Sequence, residues 1–254
     1  MQLALFPSNE TARLRRIHRL LAAAQAQPET VSEVAPGLPP ISQLVRTMLG
    51  GRTQDAISWA AYRQLRRAFP DWAALANASP AQLLPLIANV THAEKKAKHV
   101  PLALTHIVAR RGALDLTFLD SWPVLEAIAW LRRLPGVGPK AAASVLNFST
   151  LNKRALVVDT HHLRVMTRIG VLPEGTTDGK AFERLMPALP EEWDAPMVAH
   201  HHLLVKSLSQ NLCTARTPDC PSCPLSAECK WHTRRPKLAS TQRASGPPAP
   251  GPSP

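Results

Sequence analysis

Two sets of residues in this 254-residue chain are equipped for chemistry: Lys140, set just after a glycine hairpin, and four cysteines gathered towards the C-terminal end. The stretch Leu131 to Asp159 reads LRRLPGVGPKAAASVLNFSTLNKRALVVD and ends its apolar run on Asp159. A lysine in the first turn of a helix meets the positive end of the macrodipole, which disfavours an ammonium ion. Stability alone would put Asp or Glu there, so the amine is a candidate nucleophile, with a plain phosphate contact as the equal alternative. Asp159 precedes an amphipathic run, Thr160 to Val165. It reads either as an N-cap or as a carboxylate aimed into a cleft to orient a proton or stabilise a developing cation.

The elements that would position the lysine are two helices and a hairpin. Val124, Leu125, Ile128 and Leu131 recur at helical spacing after Pro123, and Ala141, Ala142, Val145, Leu146 and Phe148 form the apolar side of a second helix. Leu134 to Gly138 between them cannot continue a helix, because proline removes a donor and glycine opens other conformations. Bare amides around Gly136, Val137 and Gly138, with a helix N-terminus behind them, suit a DNA phosphate.

The cysteines are Cys213, Cys220, Cys223 and Cys229, separated by six, two and five residues. No export signal precedes them, since Leu3 to Phe6 is too short and lacks a basic flank, so a metal is favoured over disulfides. Structural zinc more often uses two short cysteine pairs, and only one is present. Arg216, Lys230, Arg234 and Arg235 make the surroundings basic, either to face phosphates or as an ordinary solvated surface. His200-His201-His202 point about 100° apart on a helix and cannot converge on one ion, so they read as structural or DNA-facing. His161-His162 read as packing or capping residues.

Thirty Lys and Arg against eighteen Asp and Glu give a formal charge of +12, so the expected partner is a polyanion, with nucleic acid the best fit. An anionic membrane is the rival, yet no apolar run approaches the ~20 residues of a spanning helix. A cytoplasmic, nucleoid-associated protein is expected. Hydrophobic content of 45% suffices for one large or two modest domains. There is no strand alternation and no nucleotide-binding glycine signature, so the chain reads as all-α. Helices are expected over 11–25, from Ile41 to Leu49 and its stop at Gly50-Gly51, and from an Asp55 N-cap through Phe69. Others are expected at 72–76, 80–87, 93–111 with Pro101 kinking or splitting it, around Phe182 to Met186 after a loop at 176–179, and at 197–212. Ala155 to Val158 is a buried entry to the next helix or a short strand.

LPGVGPK followed by VDTHHLRV resembles the helix-hairpin-helix DNA glycosylases, in particular the endonuclease III-like enzymes, and the resemblance runs from about Ile41 to Cys229. It implies that Lys140 is the Schiff-base nucleophile and Asp159 the essential carboxylate. The cysteine spacing is similar to that family's loop for a four-iron, four-sulfur cluster held by Cys213, Cys220, Cys223 and Cys229. The family's architecture implies a helical barrel over 33–152, a cluster domain from 1–32 with 153–236, and a disordered tail over 237–254. A cleft between the domains would take bent duplex DNA, and nothing demands more than a monomer. The implied activity is removal of oxidised pyrimidines with strand nicking by β-elimination, since a lysine at this position favours the bifunctional lyase branch over adenine-mismatch enzymes. Two departures concern the residues that fill the vacated stack: Arg52 replaces the usual glutamine and His92 the usual leucine wedge. Pro139 also replaces the usual basic residue before the lysine. The alternatives are a DNA-binding iron–sulfur protein of this fold with weak or no glycosylase activity, and a zinc-stabilised helical DNA-binding module.

Overall fold

The computed structural model describes residues 9–24 and 37–234, and the expected tail over 237–254 and Arg235 lie outside them. Among the described residues there are twelve α-helices and no β-strand, the one bridge joining Leu38 to Ser149. Ala155 to Val158 is therefore extended but unpaired, and all four residues are buried.

The helices are α1 (Asn9–Ala24), α2 (Pro40–Gly50), α3 (Asp55–Ala68), α4 (Trp72–Ala76), α5 (Pro80–Leu83) and α6 (Ala93–Arg111). They continue with α7 (Val124–Leu131), α8 (Pro139–Phe148), α9 (Thr160–Ile169), α10 (Asp178–Leu185), α11 (Ala195–Asn211) and α12 (Lys230–Arg234). Every apolar position named for α2 is buried, from Ile41 to Leu49, and the helix packs on α3 and α8. Polar clips fix the register: Gln43 Nε2 donates to Ser144 Oγ at 2.9 Å, and Trp72 Nε1 donates to Ser42 Oγ at 2.9 Å. Because these groups are buried, losing either bond would leave a desolvated polar atom, which is costlier than the bond's own net value.

α4 and α5 cover α6, while α9 to α12 gather around one another, with α1 against α11. α8 touches both groups through α2, α7, α10 and α11. Its Asn147 Nδ2 donates to the carbonyls of Lys153 and Ala195, each at 3.0 Å, tying the α8 exit to the start of α11.

Several local expectations change. α6 runs unbroken through Pro101: one backbone bond is forgone, but Ala97, Val100, Ala103, Leu104 and Ile107 bury a continuous face around it. Asp55 is the first residue of α3, not its cap; Gln54 takes the cap position without a side-chain bond, and the Asp55 carboxylate pairs with Lys206. Leu125 lies on the outer face of α7, 58% exposed, leaving Ile128 and Leu131 inward. The loop expected at 176–179 is already helical from Asp178.

Candidate active site

Lys140 and Asp159 line one pocket of about 130 Å³, Lys140 from the first turn of α8 and Asp159 from the N-terminus of α9. Arg46 and Thr47 of α2, Asp55 and Trp59 of α3, and His202 and Lys206 of α11 complete its polar wall. Three cations and two carboxylates thus share a cleft that no single segment supplies.

Asp159 is both cap and site residue. Its Oδ1 accepts the His162 amide at 2.8 Å, which orders the first turn of α9, and the side chain is buried, 7% exposed. Burial by itself raises a carboxyl pKa, but His202, the His162 amide and Lys140 outweigh it and hold Asp159 at about 2. His202 sets its Nε2 4.0 Å from Asp159 Oδ2 while its Nδ1 lies 2.8 Å from the Val157 carbonyl. A carbonyl only accepts, so Nδ1 carries the proton in that bond. Burial lowers the pKa of His202 itself, so at neutral pH the groups that favour the charged carboxylate are the amide and Lys140.

The hairpin before Lys140 divides its three expected contacts. Gly136 takes φ +76°, and Gly138 is the α8 N-cap with open space where a Cβ would stand. Val137 turns into the core, 6% exposed, and its amide donates to the Leu134 carbonyl at 3.1 Å. Gly136 and Gly138 are both exposed.

Arg52 and His92 are exposed, both in the left-handed region at φ 57° and 59°, on two loops that touch. The Thr91 amide donates to Thr53 Oγ1 at 3.1 Å. Lys96 Nζ locks the pair, donating to the carbonyls of Leu49 at 2.6 Å and Gly51 at 2.8 Å and to Thr53 Oγ1 at 3.0 Å. Burial, with Lys140 nearby, lowers the Lys96 pKa to about 8. The sequence reading did not single out Lys96, Arg46, Trp59 or Lys206, and it took His202 for a structural or DNA-facing residue without placing it beside Asp159. Arg46 was the one with a visible signal, a lone cation inside the apolar run of α2.

The four cysteines line a common small cavity with Arg168, Leu212, Pro218 and Trp231. Among the described residues, no three His, Cys, Asp or Glu side chains converge closely enough to hold one metal ion. α9 reaches this loop directly: Arg164 Nε donates to the Cys213 carbonyl at 2.9 Å, and Arg168 donates to the carbonyls of Thr214 and Ala215 at 2.7 and 2.9 Å. Arg168 also lies 3.3 Å from Cys213 Sγ and 4.5 Å over the Trp231 ring. Lys230 packs against Gly170, and Arg234 stands 3.8 Å from Glu174. His201 and His202 are buried and so do not face DNA, and the His162 ring is enclosed beside them.

A hairpin-borne lysine facing a capping carboxylate, in an all-helical chain, defines a class. Residues 45–191 match the HhH-GPD superfamily of base excision DNA repair proteins, and the chain belongs to that family. Within it, the fold is endonuclease III-like. The chain is 29% identical over 198 residues to endonuclease III of Thermotoga maritima, covering 78% of this chain and 86% of that one. It is 30% identical over 149 residues to a DNA glycosylase homologue of Arabidopsis thaliana, of which it spans only 50%. The solved structure of a trapped endonuclease III–DNA covalent intermediate superposes with a TM-score of 0.71 at 22% identity, covering 88% of this chain and 97% of that one. A thermostable thymine-DNA glycosylase shares the same fold, with a TM-score of 0.68 at 16% identity and coverage of 89% and 97%.

Proposed function

We propose that the chain is a base-excision DNA glycosylase with AP-lyase activity, acting on damaged duplex DNA as a monomer and removing oxidised pyrimidines. The observation that carries this is the meeting of Lys140 and Asp159 in one pocket, with the exposed Gly136 and Gly138 in the turn just before the lysine. The relatives' names and the trapped covalent complex of a structural neighbour support it.

The nucleotide must leave the stack for its sugar carbon to be reached. The unprotonated Lys140 Nζ attacks C1′, the bond from C1′ to the base breaks, and the base departs with its electron pair and takes a proton. The iminium formed on ring opening draws electrons, so loss of a C2′ proton expels the 3′ phosphate; water then releases the amine. The Asp159 carboxylate, ionised at neutral pH, helps draw the proton from the Lys140 amine and stands as a negative charge beside the cationic sugar. Arg52 and His92, on their clamped loops, fill the gap left in the duplex.

Endonuclease III-like proteins normally carry a four-iron, four-sulfur cluster, and we assign such a group to Cys213, Cys220, Cys223 and Cys229. All four cysteines line one cavity, and their sequence spacing has a single short pair where zinc sites more often have two. When bound, the cluster pins the loop and has electron-transfer chemistry available to it. Arg164 and Arg168 connect that loop to the helix capped by Asp159.

The test is borohydride trapping on abasic DNA: the wild type should form a covalent adduct and Lys140→Ala none. Tight DNA binding with no wild-type adduct would leave a binder of this fold. Stoichiometric iron and sulfide, lost in Cys220→Ser, should accompany the purified protein.

A further inference from the structure

Arg46 enters the Lys140–Asp159 pocket from α2, and its guanidinium lies 4.1 Å over the ring of Trp59. Its Nε is buried and has no hydrogen-bond acceptor. Asp55, the carboxylate that acts on it electrostatically, is already paired with Lys206. Because Nε is closed off, the terminal nitrogens of the guanidinium are the donors that can meet a ligand in the pocket, and an acceptor brought to them offsets the cost of enclosing the cation. Stacking on Trp59 occupies the face of the guanidinium and leaves the in-plane N–H groups free. At the C4 substituent of a pyrimidine those donors match a carbonyl oxygen, and they clash with an exocyclic amine, itself a donor.

We infer that Arg46, steadied by Trp59, reads the edge of the flipped base and selects lesions with a carbonyl at that edge over lesions with an amino group. The pocket then favours uracil- and thymine-derived damage over cytosine-derived damage. This rests on the glycosylase reading, because only a flipped nucleotide brings a base to Arg46 while Lys140 meets its sugar. A phosphate offers the same acceptors, and the two sources are separable: a base contact is missing from an abasic strand, whereas a phosphate contact persists there.

The experiment compares kcat/KM on three duplexes of one sequence, bearing 5-hydroxyuracil, 5-hydroxycytosine or an abasic site. The two lesions differ by carbonyl against amine at C4, with the N3 proton following. The wild type should prefer 5-hydroxyuracil by about 10- to 100-fold, the worth of a charge-assisted hydrogen bond. Arg46→Met should bring the two lesions within about threefold, with a loss on the abasic strand at least tenfold smaller than on 5-hydroxyuracil. Arg46→Lys keeps the charge without the planar fork, and Trp59→Leu keeps the fork without its support. Both should narrow the preference, and they carry the test if Arg46→Met fails to fold by its thermal melt. An equal loss on all three substrates would reassign Arg46 to a phosphate, and an unchanged lesion ratio would overturn the inference; either leaves the lyase reading standing. No adduct between the wild type and abasic DNA would overturn both.

Discussion

Asp159 answers two demands with one carboxylate, and they can be separated. Asparagine caps a helix about as well as aspartate, so Asp159→Asn should keep the bond to the His162 amide, and its stability loss should be confined to the lost charge interactions, on the order of 2 kcal/mol at neutral pH. It removes the charge, and kcat for base excision should fall by about 10²- to 10³-fold, the range for loss of one preorganised electrostatic partner. A single-turnover assay beside a denaturant melt checks both halves. An equal loss of stability and rate would make Asp159 a cap and nothing more.

At the scale of elements, the hairpin and the paired loops are held by particular atoms. A methyl group at Gly136 would stand 2.9 Å from His99 Cβ, on a backbone at φ +76° that side chains avoid. Gly136→Ala should therefore destabilise the fold by about 1–3 kcal/mol. Gly138→Ala meets nothing within 4 Å and should leave the melting temperature nearly unchanged; if the hairpin grips a phosphate, the added methyl should weaken DNA binding in a filter-binding assay. Lys96→Met strips the Leu49 and Gly51 carbonyls of their donor. It should cost about 1–3 kcal/mol and raise hydrogen exchange across 50–54 and 90–93 more than elsewhere.

Across the whole molecule, the histidines give acid sensitivity. His162 and His201 are fully buried with both ring nitrogens unpartnered; their rings contact each other, His162 also contacts the His202 ring, and His201 contacts His18 and Trp193. Asp159, His202 and Lys206, with Lys140 beyond, are the charged and titratable groups on the pocket side. Burial pushes His162 down to about 3 from 6.5, and His201 well below 6.5. The unfolded chain takes up protons below pH 6.5 and the folded chain does not, so stability falls as pH falls through that value and goes on falling towards 3. Between pH 7.5 and 5.5 the unfolding free energy should therefore fall, and His201→Phe should flatten its slope against pH. A slope unaltered by that substitution would place the sensitivity elsewhere.

The sequence by itself was enough for the all-helical class, the apolar face of α2, the hairpin and the grouping of the four cysteines, and it singled out Lys140 and Asp159, which the fold brings to one pocket. These are local: helical periodicity, glycine and proline chemistry, and residue spacing act within a few turns of chain. What lay beyond it is long-range. Asp55 and Lys206 are paired across 151 positions, Arg46 becomes a pocket residue only once α3 brings Trp59 over it, and Lys96 clamps a loop 45 residues before it. Pro101 and Leu125 went against local expectation because packing against neighbouring helices, not propensity, set whether α6 continued and which face of α7 turned inward. Helix-forming residues carry their tendency with them, but which polar groups face one another across a cleft is decided only when separate helices dock and shut water out from between them.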